Sequence, residues 1–263
     1  MAEKNLYANI RNVRDLGGMR TIDGRAIRYG KLIRSNNISD LSEPFRSELL
    51  QKVDTVVDLR DPMEYKERSQ YITEGVQTIS LPLLEKNIPG ISRRELLDKI
   101  VICSYLFRPE AAKKYMIRMY SVMIEQEYSI RQLEKFIRIL LEPHEKAVLW
   151  HCSAGKDRAG LAAMITEELL GIPRETIFED YLRSDENLRP DIDDKKKQVT
   201  KRFPFARKAP QTMEYLFGVE KEFLESAYKK IDQRYGGFES FVSEGLHISK
   251  EEIETLKERY LTK

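Results

Sequence analysis

Residues 147–170 constrain the fold more than any other part of the chain: they read Ala-Val-Leu-Trp, then His151-Cys-Ser-Ala-Gly-Lys-Asp-Arg-Ala-Gly160, then Leu-Ala-Ala-Met-Ile-Thr-Glu-Glu-Leu-Leu. The apolar, branched start predicts a strand, the short polar stretch with two glycines predicts a tight loop, and the alanine- and leucine-rich end predicts a helix. That order commits the chain to an α/β layer, whose ligand sites form beyond the carboxyl ends of the strands.

Two further runs, Val53–Asp58 and 76–81, have the same branched character and are expected to pair with 147–150 in one sheet. Helical patterns lie between and after them. Leu133, Phe136, Ile137 and Leu140 fall on one face, with Ser129 and Gln132 read as a capping box before it. Leu224, Ala227, Tyr228 and Ile231 share another face, Gly236-Gly237 is the expected stop, and Ser249 with Glu252 caps a last helix. The expected fold class is α/β, a central, mainly parallel sheet flanked by helices, in one domain over 1–263. Between Leu83 and Tyr120, Pro89 and Pro109 break a helix-rich stretch that fits either a helical lid insertion over 84–125 or an ordinary layer of core helices.

With 263 residues, 41% hydrophobic and 33% charged, the chain can bury a core without covalent staples. Lys and Arg number 45 against 43 acids, a net charge of +2, so a polybasic nucleic-acid binder is excluded and any attraction for anions must be local. No apolar run approaches the roughly 18 residues of a membrane span, and the first residues lack a secretory core, so a cytoplasmic location is expected. Cys103 and Cys152 are the two cysteines; a disulfide is not expected, nor is a metal or other cofactor. Cys103, in the apolar run Ile100-Val-Ile-Cys, is read as a core residue. After Arg189 and Pro190, the stretch to Lys208 becomes strongly basic; it reads as a solvated loop, with an anion-binding role as the other possibility.

The loop after the 147–150 strand carries the chemistry. Successive N–H groups of Ser153, Ala154, Gly155, Lys156 and the residues to Ala159 can turn toward one point at a helix N-terminus, a cradle of phosphate size. Cys152 opens it, where helix end and guanidinium favour a thiolate nucleophile, and Arg158 closes it with a fork of donors for two phosphoryl oxygens. His151 is placed to orient the loop. The leaving oxygen needs a proton, for which Asp157, in the loop, and Asp58, at the end of a strand, are both candidates; Asp157 is the first choice because the loop holds it. Lys156 and Arg60 could add positive charge, although Asp58 could equally be the structural partner of Arg60 or Arg14. A nucleotide-binding Walker loop is disfavoured, because position 150 is Trp and Lys156 is followed by Asp.

This loop resembles the His-Cys-x-x-Gly-Lys-Asp-Arg-Thr-Gly signature of the bacterial tyrosine phosphatase family. Asn12-Val-Arg-Asp-Leu-Gly-Gly18, Val57-Asp-Leu-Arg60 and Tyr235-Gly-Gly-Phe238 are similar to other stretches of its members, so the resemblance spans most of the chain. It implies a phosphatase fold with a helical lid and activity on phosphotyrosine, sometimes extending to phosphoserine, phosphothreonine or phosphoinositides. It also implies site roles for Asp157 and Asp58, a contribution of Lys156 to bulky anionic head groups, and support of the loop by Arg14 and Asp15. The departure is Ala159, where the family usually has Thr or Ser; that hydroxyl assists breakdown of the phosphoenzyme, so its absence should slow this step. The expected partner is a phosphorylated protein, with a phosphoinositide as the alternative and a phosphate-recognition module without turnover as the rival from another class.

Overall fold

The computed structural model describes residues 12–62, 64, 75–85 and 103–263. Among these, five strands form one sheet: β1 (Arg14–Asp15), β2 (Leu32–Ser35), β3 (Val53–Asp58), β4 (Gln77–Ser80) and β5 (Ala147–His151). Their order is β1-β2-β5-β3-β4, parallel except for β1 at one edge. The three expected strands are present and paired, and the fold is α/β with a mostly parallel sheet. β1 and β2 were not expected. β1 has two residues, and β2 carries Arg34 in its middle, which hides the apolar run of an inner strand.

β5 is buried along its whole length, as a central strand covered on both faces must be. In register across the sheet, Ser35 pairs with His151, His151 with Asp58, and Asp58 with Ser80. The loops that follow β2, β3 and β5 therefore leave the same edge side by side, and this edge positions the site.

The described longer helices are α1 (Glu43–Gln51), α2 (Pro109–Glu125), α3 (Glu127–Leu141), α4 (Arg158–Leu169), α5 (Arg174–Arg202), α6 (Ala209–Phe217), α7 (Lys221–Tyr235) and α8 (Lys250–Tyr260). α4 is buried nearly all round, as its alanines, leucines and Met164 allow. Trp150 of β5 packs edge-on against Phe136 of α3 at 5.4 Å, its indole N–H donating to the Ala159 carbonyl (3.1 Å). α7 ends at Gly236 (φ +79°), a left-handed position suited to glycine, and Ser249 and Glu252 form the expected reciprocal cap of α8.

Three expectations change. α3 starts at Glu127, so Ser129 and Gln132 lie inside it, buried, and form no capping box. The basic stretch beyond Pro190 is not a loop as far as Arg202: it continues α5 through the proline, supported by buried Leu188, Ile192 and Val199 and by the Arg189–Asp185 and Arg189–Asp193 pairs one turn apart. Cys103 is exposed instead of buried; the rest of the apolar run that suggested a core position, 100–102, lies outside the described residues. Of 84–125, residues 86–102 also lie outside them. α2, the main described part, buries Ala112, Met116, Tyr120, Met123 and Ile124 in the main core. Among the described residues no helix is long and apolar enough to cross a membrane.

Candidate active site

Cys152 follows β5 directly and is 2% exposed, and α4 begins at Arg158. Among the described residues, the backbone N–H groups of Ser153, Ala154, Gly155, Lys156 and Asp157 find no acceptor, which leaves a run of donors at a helix N-terminus available to an anion. Gly155 has φ +71°, and a Cβ there would lie 2.6 Å from the Asn36 nitrogen and the Ser35 oxygen. The glycine is thus required by the close approach of the loop to the end of β2. At Gly160, a Cβ would crowd Arg34 Nη2 at 3.0 Å and the Tyr181 ring.

The Arg158 guanidinium is held by Glu64, with Nη1 to Oε2 at 2.6 Å and Nη2 to Oε1 at 3.1 Å, both residues being buried. Ser153 Oγ also donates to Glu64. Glu64 is fixed in turn by Asp61: its Oε2 accepts from the Asp61 N–H (3.0 Å), and Asp61 Oδ1 accepts from the Glu64 N–H (3.3 Å). Burial works against the Glu64 carboxylate, but the charge and hydrogen bonds of Arg158, with Ser153, bring it down to about 2. For Arg158 itself burial is again opposed, chiefly by the charge of Glu64 and then of Cys152, and the guanidinium is held above its ordinary value.

Asp157 Oδ1 accepts from Tyr120 Oη (2.8 Å) and from Lys156 Nζ (2.9 Å); Tyr181 donates to Tyr120 at 2.7 Å. Burial, followed by the charge of Asp157, keeps both tyrosine hydroxyls protonated well above their usual range, so they are fixed donors. Lys156 is 1% exposed, and its ammonium also donates to the Gly218 carbonyl (3.1 Å). From this buried position it bridges the loop and the α6–α7 connection.

Asp58 is fully enclosed and grips Arg60, with Oδ1 accepting from Nε at 3.0 Å and Oδ2 from Nη2 at 2.6 Å. His151 Nε2 lies 3.3 Å from Asp58 Oδ2, and its Nδ1 lies 3.4 Å from the Cys152 carbonyl. Burial lowers the His151 pKa despite the Asp58 charge, with Arg60 adding to the lowering, so the imidazole is neutral. Ala159 is fully buried within the main core.

A second ionic group braces the loop from behind. Arg14 donates to Asp180 (2.7 Å) and Asn12 Oδ1 (2.5 Å), while Asn12 Nδ2 donates to the Ala154 carbonyl (2.8 Å). Arg34 joins Asp180 (2.6 Å) to the Gly155 carbonyl (2.9 Å). Burial raises and the two arginines lower Asp180, leaving it ionised at about 2, whereas burial and the Asp180 charge push buried Glu167 well above the carboxylate range and keep it neutral. Two guanidinia facing one carboxylate leave an excess positive charge behind the loop, which favours an anion in front. Asp15 accepts from the Gly17 N–H (2.8 Å) and the Gly30 N–H (2.6 Å), closing a turn.

Beside Ser153 and Ala154 opens a cavity of about 430 Å³, walled by Leu188, Ile192 and Phe217 and edged by Asp40, Asp191 and Lys195. Among the described residues no group of three or more His, Cys, Asp or Glu side chains is arranged to hold a metal. The family model described as the tyrosine phosphatase family matches residues 6–262. The chain belongs to the tyrosine phosphatase family. It is thereby a protein-tyrosine phosphatase, a hydrolase of phosphate monoesters. The triple specificity protein phosphatase PtpB of Mycobacterium tuberculosis is 27% identical over 257 residues, covering 88% of this chain and 90% of that protein. A Cupriavidus necator protein that carries a tyrosine-protein phosphatase designation is 26% identical over 258 residues, covering 97% and 87%. The tyrosine-protein phosphatase of Nostoc commune is 26% identical over 133 residues, half of this chain and 45% of its own.

For a phosphatase of this family the structure brings Cys152, Arg158, Asp157, Lys156 and His151 to one sheet edge, with Asp58 and Arg60 adjoining as a closed pair. Sequence reasoning missed Glu64, Asn12, Arg34, Asp180 and the two tyrosines. Two of these left a trace. Asp61-x-x-Glu64 is the spacing of a reciprocal cap just beyond a strand, and Arg34 interrupts an apolar strand, where a charge must have a partner.

Proposed function

We propose that this phosphatase hydrolyses phosphate monoesters through a cysteinyl-phosphate at Cys152, with protein phosphotyrosine as the main substrate and phosphoserine and phosphothreonine as further ones. The observation that carries this is the run of five N–H groups, unengaged among the described residues, between Cys152 and an Arg158 paired with Glu64. The Cys152 thiolate attacks phosphorus in line. The P–S bond forms as the P–O ester bond breaks, and the leaving oxygen takes a proton from Asp157. With Oδ1 occupied by Tyr120 and Lys156, Oδ2 of Asp157 is the oxygen that carries this proton. Water, giving a proton back to Asp157, then attacks phosphorus, and the P–S bond breaks to release inorganic phosphate and the thiolate. Arg158 and the N–H groups of the loop hold the three equatorial oxygens through both displacements.

In this reading His151 and Asp58 fix the strand end on which Cys152 is mounted, Arg60 closes that pair, and Arg14 acts on the loop through Asn12 and Asp180. The apolar wall of the neighbouring cavity suits the ring of a phosphotyrosine, and PtpB, by its name, acts with triple specificity. Phosphoinositides are the second substrate class, supported by Lys195 at the cavity edge and opposed by Asp40 and Asp191 beside it. One domain over 1–263 and a cytoplasmic location, where the free thiols of Cys103 and Cys152 would stay reduced, complete the proposal. Turnover of p-nitrophenyl phosphate tests for catalysis against a recognition module that only binds. Comparing rates on phosphotyrosyl peptides and soluble phosphoinositides tests the substrate class, and faster turnover of the lipid head groups would overturn the protein assignment.

A further inference from the structure

Where α5 ends, the chain reads Lys201-Arg-Phe-Pro-Phe-Ala-Arg-Lys208 before α6 begins. Phe205 is 70% exposed and stacks on Phe107, which is 55% exposed and comes from a separate part of the chain, with ring centroids 6.0 Å apart and planes at 24°. Phe203 meets Phe205 edge-on at 6.2 Å. Two aromatic rings brought together across almost a hundred residues and left in water form a built surface, unlike a single stray side chain.

Around these rings lie Arg108, Lys201, Arg202, Arg207 and Lys208, all exposed. Upstream on α5, Lys196 pairs with Glu214 and Lys197 with Asp194. Among the described residues, the five around the rings make no ion pair. The segment 195–208 contains no Asp or Glu, although the whole chain is nearly neutral at +2. The charge is therefore concentrated here.

We propose that this turn docks the phosphatase on an anionic bilayer surface, with Phe107 and Phe205 entering the interface and the surrounding cations meeting lipid head groups. Aromatic rings ringed by Lys and Arg match the two-part attraction that interfacial segments use, apolar insertion plus charge, and each Lys or Arg near an anionic leaflet strengthens binding roughly fivefold. A nucleic acid would need open ring faces between which bases stack, whereas Phe107 and Phe205 turn their faces on one another. Gln198, which lines the cavity beside the phosphate loop, lies on α5 only about 5 Å before Lys201 along the axis. Docking would therefore hold the cavity mouth close to substrates at the membrane, whichever phosphate ester they carry.

The test is co-sedimentation with vesicles of phosphatidylcholine alone and of phosphatidylcholine with phosphatidylserine, at low and high salt. The comparison is between the parent, the Phe107→Ser/Phe205→Ser variant and the Lys201→Glu/Arg202→Glu variant. Parent binding that needs phosphatidylserine, weakens with salt and drops at least about tenfold in each variant is the expected result, with p-nitrophenyl phosphate turnover unchanged. Failure of the parent to bind anionic vesicles overturns the proposal, as does equal binding by the variants. Capture by single-stranded DNA with the same dependence on both phenylalanines would make the partner a nucleic acid instead. A sedimentation coefficient of the lipid-free parent that falls in the Phe variant would make it a second copy of the chain.

Discussion

In the phosphate loop the charged side chains are buried and held by opposite charges, Arg158 by Glu64 and Lys156 by Asp157. In the turn at 201–208, Lys201, Arg202, Arg207 and Lys208 are exposed and, among the described residues, unpaired. Buried and paired, a charge has one position, so it can match the oxygens of a single phosphoryl group and is little affected by salt. Exposed on flexible stems, it is screened within about 10 Å at ordinary ionic strength and can sense only a surface. The same residue types thus serve geometry in one region and attraction in the other, and substitutions should separate the two.

The largest effect is expected for Cys152→Ser, which loses the nucleophile but keeps the volume. Turnover should fall below about a hundredth of the parent with an unchanged melting temperature, and activity above that level would remove covalent catalysis from the account. Next comes Asp157→Asn, which should slow phosphotyrosine turnover about a hundredfold and cost far less on a substrate with an activated leaving group. Asp58→Asn, which breaks the pair with Arg60, should lower stability without that leaving-group dependence. If the dependence appears in the Asp58 variant alone, the general acid is Asp58.

Glu64→Gln removes the Glu64 charge from beside Arg158 and should reduce kcat/KM about tenfold while destabilising the fold by about 3 kcal/mol, the usual cost of removing one partner of a buried pair. Because the folded Glu64 carboxylate lies at about 2, below its ordinary 4.5, its contribution is present in full above about pH 4.5 and is lost as pH falls through the folded value. Denaturant melts of parent and variant should therefore differ by a constant amount from pH 7 to 5 and converge toward pH 2. A constant difference over the whole range would contradict the assigned pairing. Tyr120→Phe removes one donor from Asp157 and should change turnover only a few-fold, seen as a shifted basic limb of the pH profile. Smallest of all, Lys201→Glu/Arg202→Glu should leave p-nitrophenyl phosphate turnover within about twofold of the parent, since exposed, screened charges outside the loop do not position the phosphoryl group.

The strand, loop and helix around Cys152 were legible because they are contiguous and the chemistry of each residue type is local. β3, β4 and β5 were legible from their branched runs, whereas β2 was hidden by Arg34, whose partner Asp180 lies 146 residues away. Glu64 was missed for a related reason: the Asp61-x-x-Glu64 spacing marks a local cap, but its value to the site depends on reaching Arg158, 94 residues on. The loop expected beyond Pro190 failed where packing overrode propensity, for Leu188, Ile192 and Val199 hold α5 together across a proline. Charge proved the least legible property. Lys156 and Lys201 are the same residue type in polar stretches of sequence, and only the fold buries one and exposes the other.

The most direct measurement of the central claim is acid quenching of the enzyme, within milliseconds of mixing, with a peptide labelled in its tyrosine phosphate, followed by mapping of protein-bound label. The account predicts labelled phosphate on Cys152, accumulating because Ala159 supplies no hydroxyl to speed its hydrolysis, and less of it in Ala159→Thr. Turnover with no label at Cys152 under any quench time, or label on another residue, would contradict it.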